Sequence, residues 1–307
     1  MLQSDMLARP PPVNLTRAVI ALLALLVGAV MLDRAAELVL TQLLLHSKYR
    51  YMRVYRAGPP AHYLVVGNSR AGVHFMHSTD PAGAFFNLGS GGMGVLYSEA
   101  LVADYVAHHG APKVAIIEMT FISDARSGED IAGLLRAFSE RARGIRNDQT
   151  WFHTASMQVF HLLRFNHATL LNALVGLFFE RSVRSVDIVI SDPMLQHVER
   201  MPPFRHEVLP ANAEALVQMI KELRQHGSIV VCVLSPMLRQ FRDKIVNIDE
   251  FLANLRRLAE SNGAVFWDDS SLLSDRVLFS DQAHLNTKGV RAYNEMFLAG
   301  LAGAVAP

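Results

Sequence analysis

The stretch that decides the fold is Tyr63 to Gly72, YLVVGNSRAG. Leu64, Val65 and Val66 form an unbroken apolar run that stops at Gly67, and Asn68, Ser69 and Arg70 follow. A short apolar run ending abruptly at glycine reads as a buried parallel strand followed by a tight turn. That turn puts Ser69 at the strand's carboxyl end, the edge where open α/β sheets bind ligands. A serine hydroxyl at that edge is a candidate nucleophile, but strand-to-turn serines are common and the rest of the chain has to decide.

Working outward, four more runs read as strands: Ala84–Leu88, Lys113–Glu118, Ser228–Leu234 and Ala264–Trp267, with His62–Gly67 completing the first. Helical apolar spacing lies between or after them, over Val95 to His109, Ala211 to His226, Ile248 to Asn262 and Asn286 to Leu301. This alternation predicts an α/β fold with a mostly parallel, roughly five-stranded sheet and helices on both faces, a three-layer α/β/α arrangement. Residues 124–210 break the pattern. They read as a helical insertion over the carboxyl edge, with a polar start (Arg126 to Asp148), a histidine-dotted helical stretch (Trp151 to Phe179) and an apolar tail (Leu170 to Phe179) too short to span a bilayer. His153, His161 and His167 have no interleaved carboxylate, so packing or surface roles are expected rather than metal ligation.

The N-terminal region divides into a polar, proline-containing tail (1–17), an apolar helix with its extension (18–45) and a basic connector (46–58), with the α/β domain following over 59–307. Ala18 to Leu32 carries no charge. Its fifteen residues fall short of the roughly 20 that cross a bilayer, but Arg17 and Arg34 can snorkel. No good small-x-small site follows the run, so an uncleaved signal anchor is favoured over a cleaved signal peptide. Orientation is contested. Arg9 and Arg17 precede the span, while Arg34, Lys48, Arg50, Arg53 and Arg56 follow it, and that count favours a cytoplasmic domain.

Bulk composition narrows the functions. A net charge of +1 gives no reason to expect nucleic acid as a partner. The single cysteine, Cys232, rules out an intramolecular disulfide and any cysteine-cluster metal site.

Two further motifs carry chemistry. Asp281 stands three residues before His284 in SDQAHLN, a spacing that lets a carboxylate orient an imidazole. The other reading of this stretch is a polar loop with Asn286 or Thr287 capping the last helix. Asn87 to Gly94, NLGSGGMG, follows the second strand, and its backbone N–H groups could face an anion. Paired with the Ser69 N–H, that turn would make an oxyanion hole. The same letters fit G-x-G-x-x-G with Glu118 ending the next strand, a dinucleotide fingerprint. That alternative follows the second strand rather than the first and leaves Ser69, Asp281 and His284 without roles.

Taken in order, the serine turn, the glycine turn and D-x-x-H resemble the SGNH (GDSL-like) hydrolase superfamily over about residues 60–124 and 211–303. In particular the chain resembles its membrane-anchored acyltransferase-type branch, such as the teichoic-acid D-alanine transfer and alginate O-acetylation proteins. It implies an SGNH/flavodoxin-like fold, Ser69 as nucleophile, His284 as base, Asp281 as its orienter and Gly89 with Ser69 in the oxyanion hole. Asn68 stands where the usual aspartate would be. The usual G-x-N-D block is absent, the chain reading EMTFISD from Glu118 to Asp124, so either Thr120 or another group substitutes as the third oxyanion donor, or the hole is weaker. Asn68 and Arg70 are candidate substrate contacts. The implied activity needs no metal or cofactor. Its partners would be an acyl donor, a polysaccharide or other polymer acceptor, the membrane through residues 18–45, and a multi-spanning membrane acyltransferase. The domain would then be extracytoplasmic (periplasmic), against the charge count. A catalytically decayed binding or assembly protein on the same fold is the competing reading.

Overall fold

Every strand expected from the apolar runs is present, each within one residue of its expected ends. The computed structural model describes residues 15–45, 50–75, 85–123, 135–136, 138–145, 151–165 and 187–305. Its strands are β1 (Tyr63–Val66), β2 (Phe85–Asn87), β3 (Val114–Glu118), β4 (Ile229–Leu234) and β5 (Val265–Asp268). They pair in parallel in the order β2-β1-β3-β4-β5. The winding direction reverses at β1, which has β2 on one side and β3 on the other. A crevice outside the carboxyl ends is expected at such a reversal.

The helices are α1 (Leu15–Leu45), α2 (Ser69–His74), α3 (Val95–His109), α4 (Glu140–Gly144), α5 (Trp151–Val159), α6 (Asp192–Arg200), α7 (Pro210–Gln225), α8 (Arg239–Arg242), α9 (Ile248–Glu260) and α10 (Thr287–Val305). Alternate strand residues enter two separate cores, as the two-residue period of a strand requires. Leu64, Ile117, Cys232 and Leu234 pack with apolar residues of α3, α7 and α9. Val65, Ile116, Val231 and Val233 pack with Phe75 at the end of α2 and with Val290, Tyr293 and Phe297 of α10.

Helix α1 begins three residues before its expected start and takes in Leu15, Thr16 and Arg17 from the expected tail. It is long and apolar enough to cross a membrane. Its side chains from Leu15 to Leu32 are exposed, Val30 in part. The polar residues just beyond that stretch bind the insertion. Asp33, buried, accepts the N–H groups of His161 (2.7 Å) and Leu162 (3.1 Å). Glu37 Oε2 pairs with His161 Nδ1 at 2.7 Å, and Arg34 donates to the carbonyls of Gln158 and Val159 at 3.2 and 3.1 Å. His161 therefore fastens the insertion to α1. The His153 side chain, His167 and the apolar tail Leu170 to Phe179 lie outside the described residues.

The expected basic connector is not a free linker where it is described. Arg50–Tyr55 forms a 3-10 helix, and Tyr51, Met52 and Val54 are buried in the same core as Leu40 and Leu44 of α1. Three apolar side chains outweigh the basic residues beside them, because burial of that area is favourable and Arg53 keeps its charge in solvent.

Candidate active site

The site is built at the end of β1. Gly67 turns the chain out of the strand with φ of +145°, a conformation side chains rarely adopt. A Cβ there would also lie 2.8 Å from the Ala71 Cβ and 3.1 Å from the Glu118 Cβ. The chain drops directly into α2, with Ser69 as its first residue. Asn68 caps that helix, its side chain accepting the Arg70 N–H at 3.0 Å.

The last helix brings the other two groups. Asn286 caps α10 through the N–H groups of Lys288 and Gly289, both at 3.1 Å, the helix cap that the polar-loop reading of this stretch expects. The preceding loop closes on itself: Phe279 and Leu285 form an antiparallel bridge, and Ser280 N–H donates to the His284 carbonyl at 2.9 Å. Within it, Asp281 Oδ1 accepts the N–H groups of Ala283 (2.7 Å) and His284 (2.8 Å).

This geometry assembles three of the expected residues. His284 Nδ1 lies 2.9 Å from Asp281 Oδ2, and His284 Nε2 lies 2.8 Å from Ser69 Oγ. Partial burial by itself would raise the Asp281 pKa. The hydrogen bond and charge of His284, with the two backbone N–H groups, outweigh it and hold the carboxyl below its ordinary value. An ionised Asp281 can only accept, so Nδ1 carries the ring proton and the Nε2 lone pair faces the serine. The imidazole keeps about a quarter of its side-chain surface exposed, at 26%, so a substrate can reach it.

Two of the expected oxyanion donors, Gly89 and Thr120, are engaged elsewhere. The Gly89 N–H donates to Asn87 Oδ1 at 2.7 Å, and an amide already so engaged has no second hydrogen to offer. Gly89 serves close packing instead: a Cβ on it would lie 2.4 Å from the Gly72 N. Gly91 is the glycine of this turn beside the serine, its Cβ position 4.0 Å from the Ser69 Cβ. Among the described residues, neither the Ser69 nor the Gly91 N–H donates a hydrogen bond. Thr120 is not the third donor either. Its N–H (3.1 Å) and its hydroxyl both go to Glu118 Oε2.

Arg70 is likewise not a substrate contact. It is 4% exposed and is committed inward, to the Ser235 carbonyl, to Ser235 Oγ at 3.0 Å, to the Pro236 carbonyl at 2.9 Å and to Glu118 at 3.6 Å. Glu118, fully buried, is therefore engaged by Arg70, Ser235 and Thr120. It is not placed to bind a ribose as the dinucleotide fingerprint would need.

Two roles escaped the sequence reading. Asn87 uses both amide hydrogens, donating to the carbonyls of Ala71 (2.8 Å) and Phe75 (2.7 Å), while its Oδ1 holds the Gly89 N–H. An asparagine ending a buried strand was the available signal. His74 and Ser235 lie under the site, linked at 2.9 Å, and nothing local marked either. Among the described residues no group of three or more His, Cys, Asp or Glu side chains could hold a metal ion. No protein-family model matches the chain, and no curated protein matches it in sequence.

Proposed function

We propose that the protein is a membrane-anchored serine acyl-transfer enzyme of SGNH (GDSL-like) type, an O-acyltransferase or esterase on a three-layer α/β/α scaffold. The observation that carries the reading is the continuous chain from Asp281 through His284 to Ser69 Oγ, with contacts of 2.9 and 2.8 Å. In this mechanism Ser69 Oγ attacks an acyl carbonyl while its proton passes to His284 Nε2. Asp281 holds the resulting imidazolium. The N–H groups of Ser69 and Gly91 take the oxyanion. The proton then goes to the departing alkoxide, leaving an acyl-Ser69 enzyme. An acceptor hydroxyl, or water, gives its proton to Nε2 and removes the acyl group by the same steps in reverse.

The acceptor class and setting come from the resemblance and the span. A cell-envelope polysaccharide or similar polymer is the proposed acceptor. The domain is extracytoplasmic, and a multi-spanning membrane acyltransferase is the proposed source of acyl groups. A reporter fused after Pro307 and active only outside the cytoplasm tests the orientation.

The reading is tested by treating the full-length protein in detergent with a fluorophosphonate probe. Covalent label is expected on Ser69 and absent in Ser69→Ala and His284→Ala. A second reading, a decayed binding or assembly protein, is favoured by the commitment of Gly89 and Thr120 to partners other than an oxyanion. That reading expects no label at Ser69 in the wild type.

A further inference from the structure

We propose that His74 is a positioning residue for His284, acting through the backbone of Leu285. The inference rests on the acyl-transfer reading of Ser69, Asp281 and His284. His74 ends α2, five residues after Ser69, and is fully buried. Its Nε2 lies 3.1 Å from the N of Leu285, the residue after His284. A backbone N–H can only donate, so Nε2 must present its lone pair. The ring proton is then on Nδ1, which donates to Ser235 Oγ at 2.9 Å.

The directions of the remaining bonds follow. Ser235 Oγ also accepts from Arg70 Nη2 at 3.0 Å, so its own hydrogen is left for Glu118 Oε1, 3.0 Å away. The Glu118 carboxylate is the end of the chain, with Arg70 beside it at 3.6 Å. One ordered path thus runs from the Leu285 N–H through His74 and Ser235 to Glu118. It ties the turn after β1, the ends of β3 and β4, and the loop carrying His284. A neutral ring with its proton on Nδ1 seats the Leu285 N–H. The other tautomer, or the protonated ring, would set an N–H against it.

The seat matters because His284 works only if Nε2 stays within hydrogen-bonding reach of Ser69 Oγ. A shift of about 1 Å in such a group can lower the rate on the order of a hundredfold. His74→Leu keeps apolar bulk and removes the acceptor. His74→Gln can offer an amide oxygen near the Nε2 position.

The experiment uses the full-length protein in detergent, p-nitrophenyl acetate for kinetics, fluorophosphonate labelling of Ser69, and hydrogen–deuterium exchange at the Leu285 amide. His74→Leu is expected to lower kcat on the order of a hundredfold with KM little changed, to speed exchange at Leu285, and to slow labelling in step with kcat. His74→Gln is expected to recover most of both. If His74→Leu does not fold, Ser235→Ala, which frees the Nδ1 proton, is expected to show the same pattern more weakly. A labelled wild type whose folded His74→Leu, or failing that Ser235→Ala, keeps wild-type kcat overturns the inference alone. A wild type that does not label at Ser69 overturns the acyl-transfer reading and this inference with it.

Discussion

His284 Nε2 stands 2.8 Å from Ser69 Oγ although 215 residues separate them in the chain. One comes from the turn after the first strand, the other from the loop before the last helix. The parallel sheet brings them together because both segments lie at its carboxyl edge. In the proposed mechanism Asp281 matters for the ring's tautomer more than for its position. Asp281→Asn is expected to reduce kcat for p-nitrophenyl acetate by about 10⁴-fold, with KM little changed. Steady-state kinetics on the folded variant provides the check, and a loss under tenfold counts against the triad.

The two glycines of the turn separate oxyanion binding from packing. Gly91→Pro removes one N–H beside Ser69 and is expected to lower kcat by about 10²–10³-fold, the usual cost of one oxyanion donor. Gly91→Ala keeps that N–H and is expected to stay near wild type. Gly89→Ala forces a Cβ to within 2.4 Å of the Gly72 N and is expected to lower the melting temperature whatever it does to rate. Equal kcat in Gly91→Pro and Gly91→Ala would remove Gly91 from the oxyanion hole.

The contrast between Gly89 and Gly91 shows where the sequence was legible. Strand ends were readable because Leu64 to Val66 or Val230 to Leu234 are apolar runs with sharp borders, and burial in a parallel sheet demands such runs. Ser69, Asp281 and His284 were readable because each sits at a break in that pattern. Which amide of NLGSGG is available depends on the rotamer of Asn87, which no spacing reveals. Arg70 reads in the sequence as a candidate substrate contact because its partners, Glu118 and Ser235, lie 48 and 165 residues further along the chain. Arg50 to Tyr55 looked like a linker because its charges are conspicuous, while the core that buries Tyr51 and Met52 is assembled only by the fold.

The buried pair under the site yields a stability prediction. Glu118→Leu leaves the Arg70 guanidinium buried among carbonyls without its ion-pair partner, and Arg70→Met leaves the Glu118 carboxylate buried without its own. Removing one partner of such a pair costs about 3–5 kcal/mol. The double variant Arg70→Met/Glu118→Leu removes both charges and is expected to cost less than the two single losses added together. Urea unfolding of the four proteins measures the coupling, and simple additivity would mean that the 3.6 Å contact contributes nothing specific.

His74 links this network to pH. Burial first, then the charges of Arg70 and His284, hold its pKa well below the ordinary value, with the Ala283 carbonyl working the other way. Tyr293 also faces the ring at 6.3 Å. An unfolded histidine takes up a proton near pH 6.5. Below that pH the unfolded chain binds a proton that folded His74 refuses. Its contribution to stability is therefore intact above about pH 6.5 and declines as the pH falls. Melting temperatures measured between pH 7.5 and 5.5 are expected to drop more steeply for wild type than for His74→Gln, whatever their absolute values. The other histidines are common to both proteins and cancel in the comparison. Parallel curves would mean that His74 titrates alike in both states.

The foot of α1 offers a test remote from the chemistry. Asp33 holds the N–H groups of His161 and Leu162, and Glu37 holds the His161 ring. These contacts begin where the exposed apolar stretch of the helix stops, so they couple the candidate span to the domain. Asp33→Ala leaves two backbone N–H groups without an acceptor, each a loss of about 1–3 kcal/mol where the amide stays buried. Faster hydrogen–deuterium exchange is expected at residues 158–163, with the β3 and β4 amides unchanged, because the sheet core does not depend on this contact. Measured on the full chain in detergent, exchange that rose equally in β3 and β4 would show that α1 supports the whole domain rather than seating one segment of it.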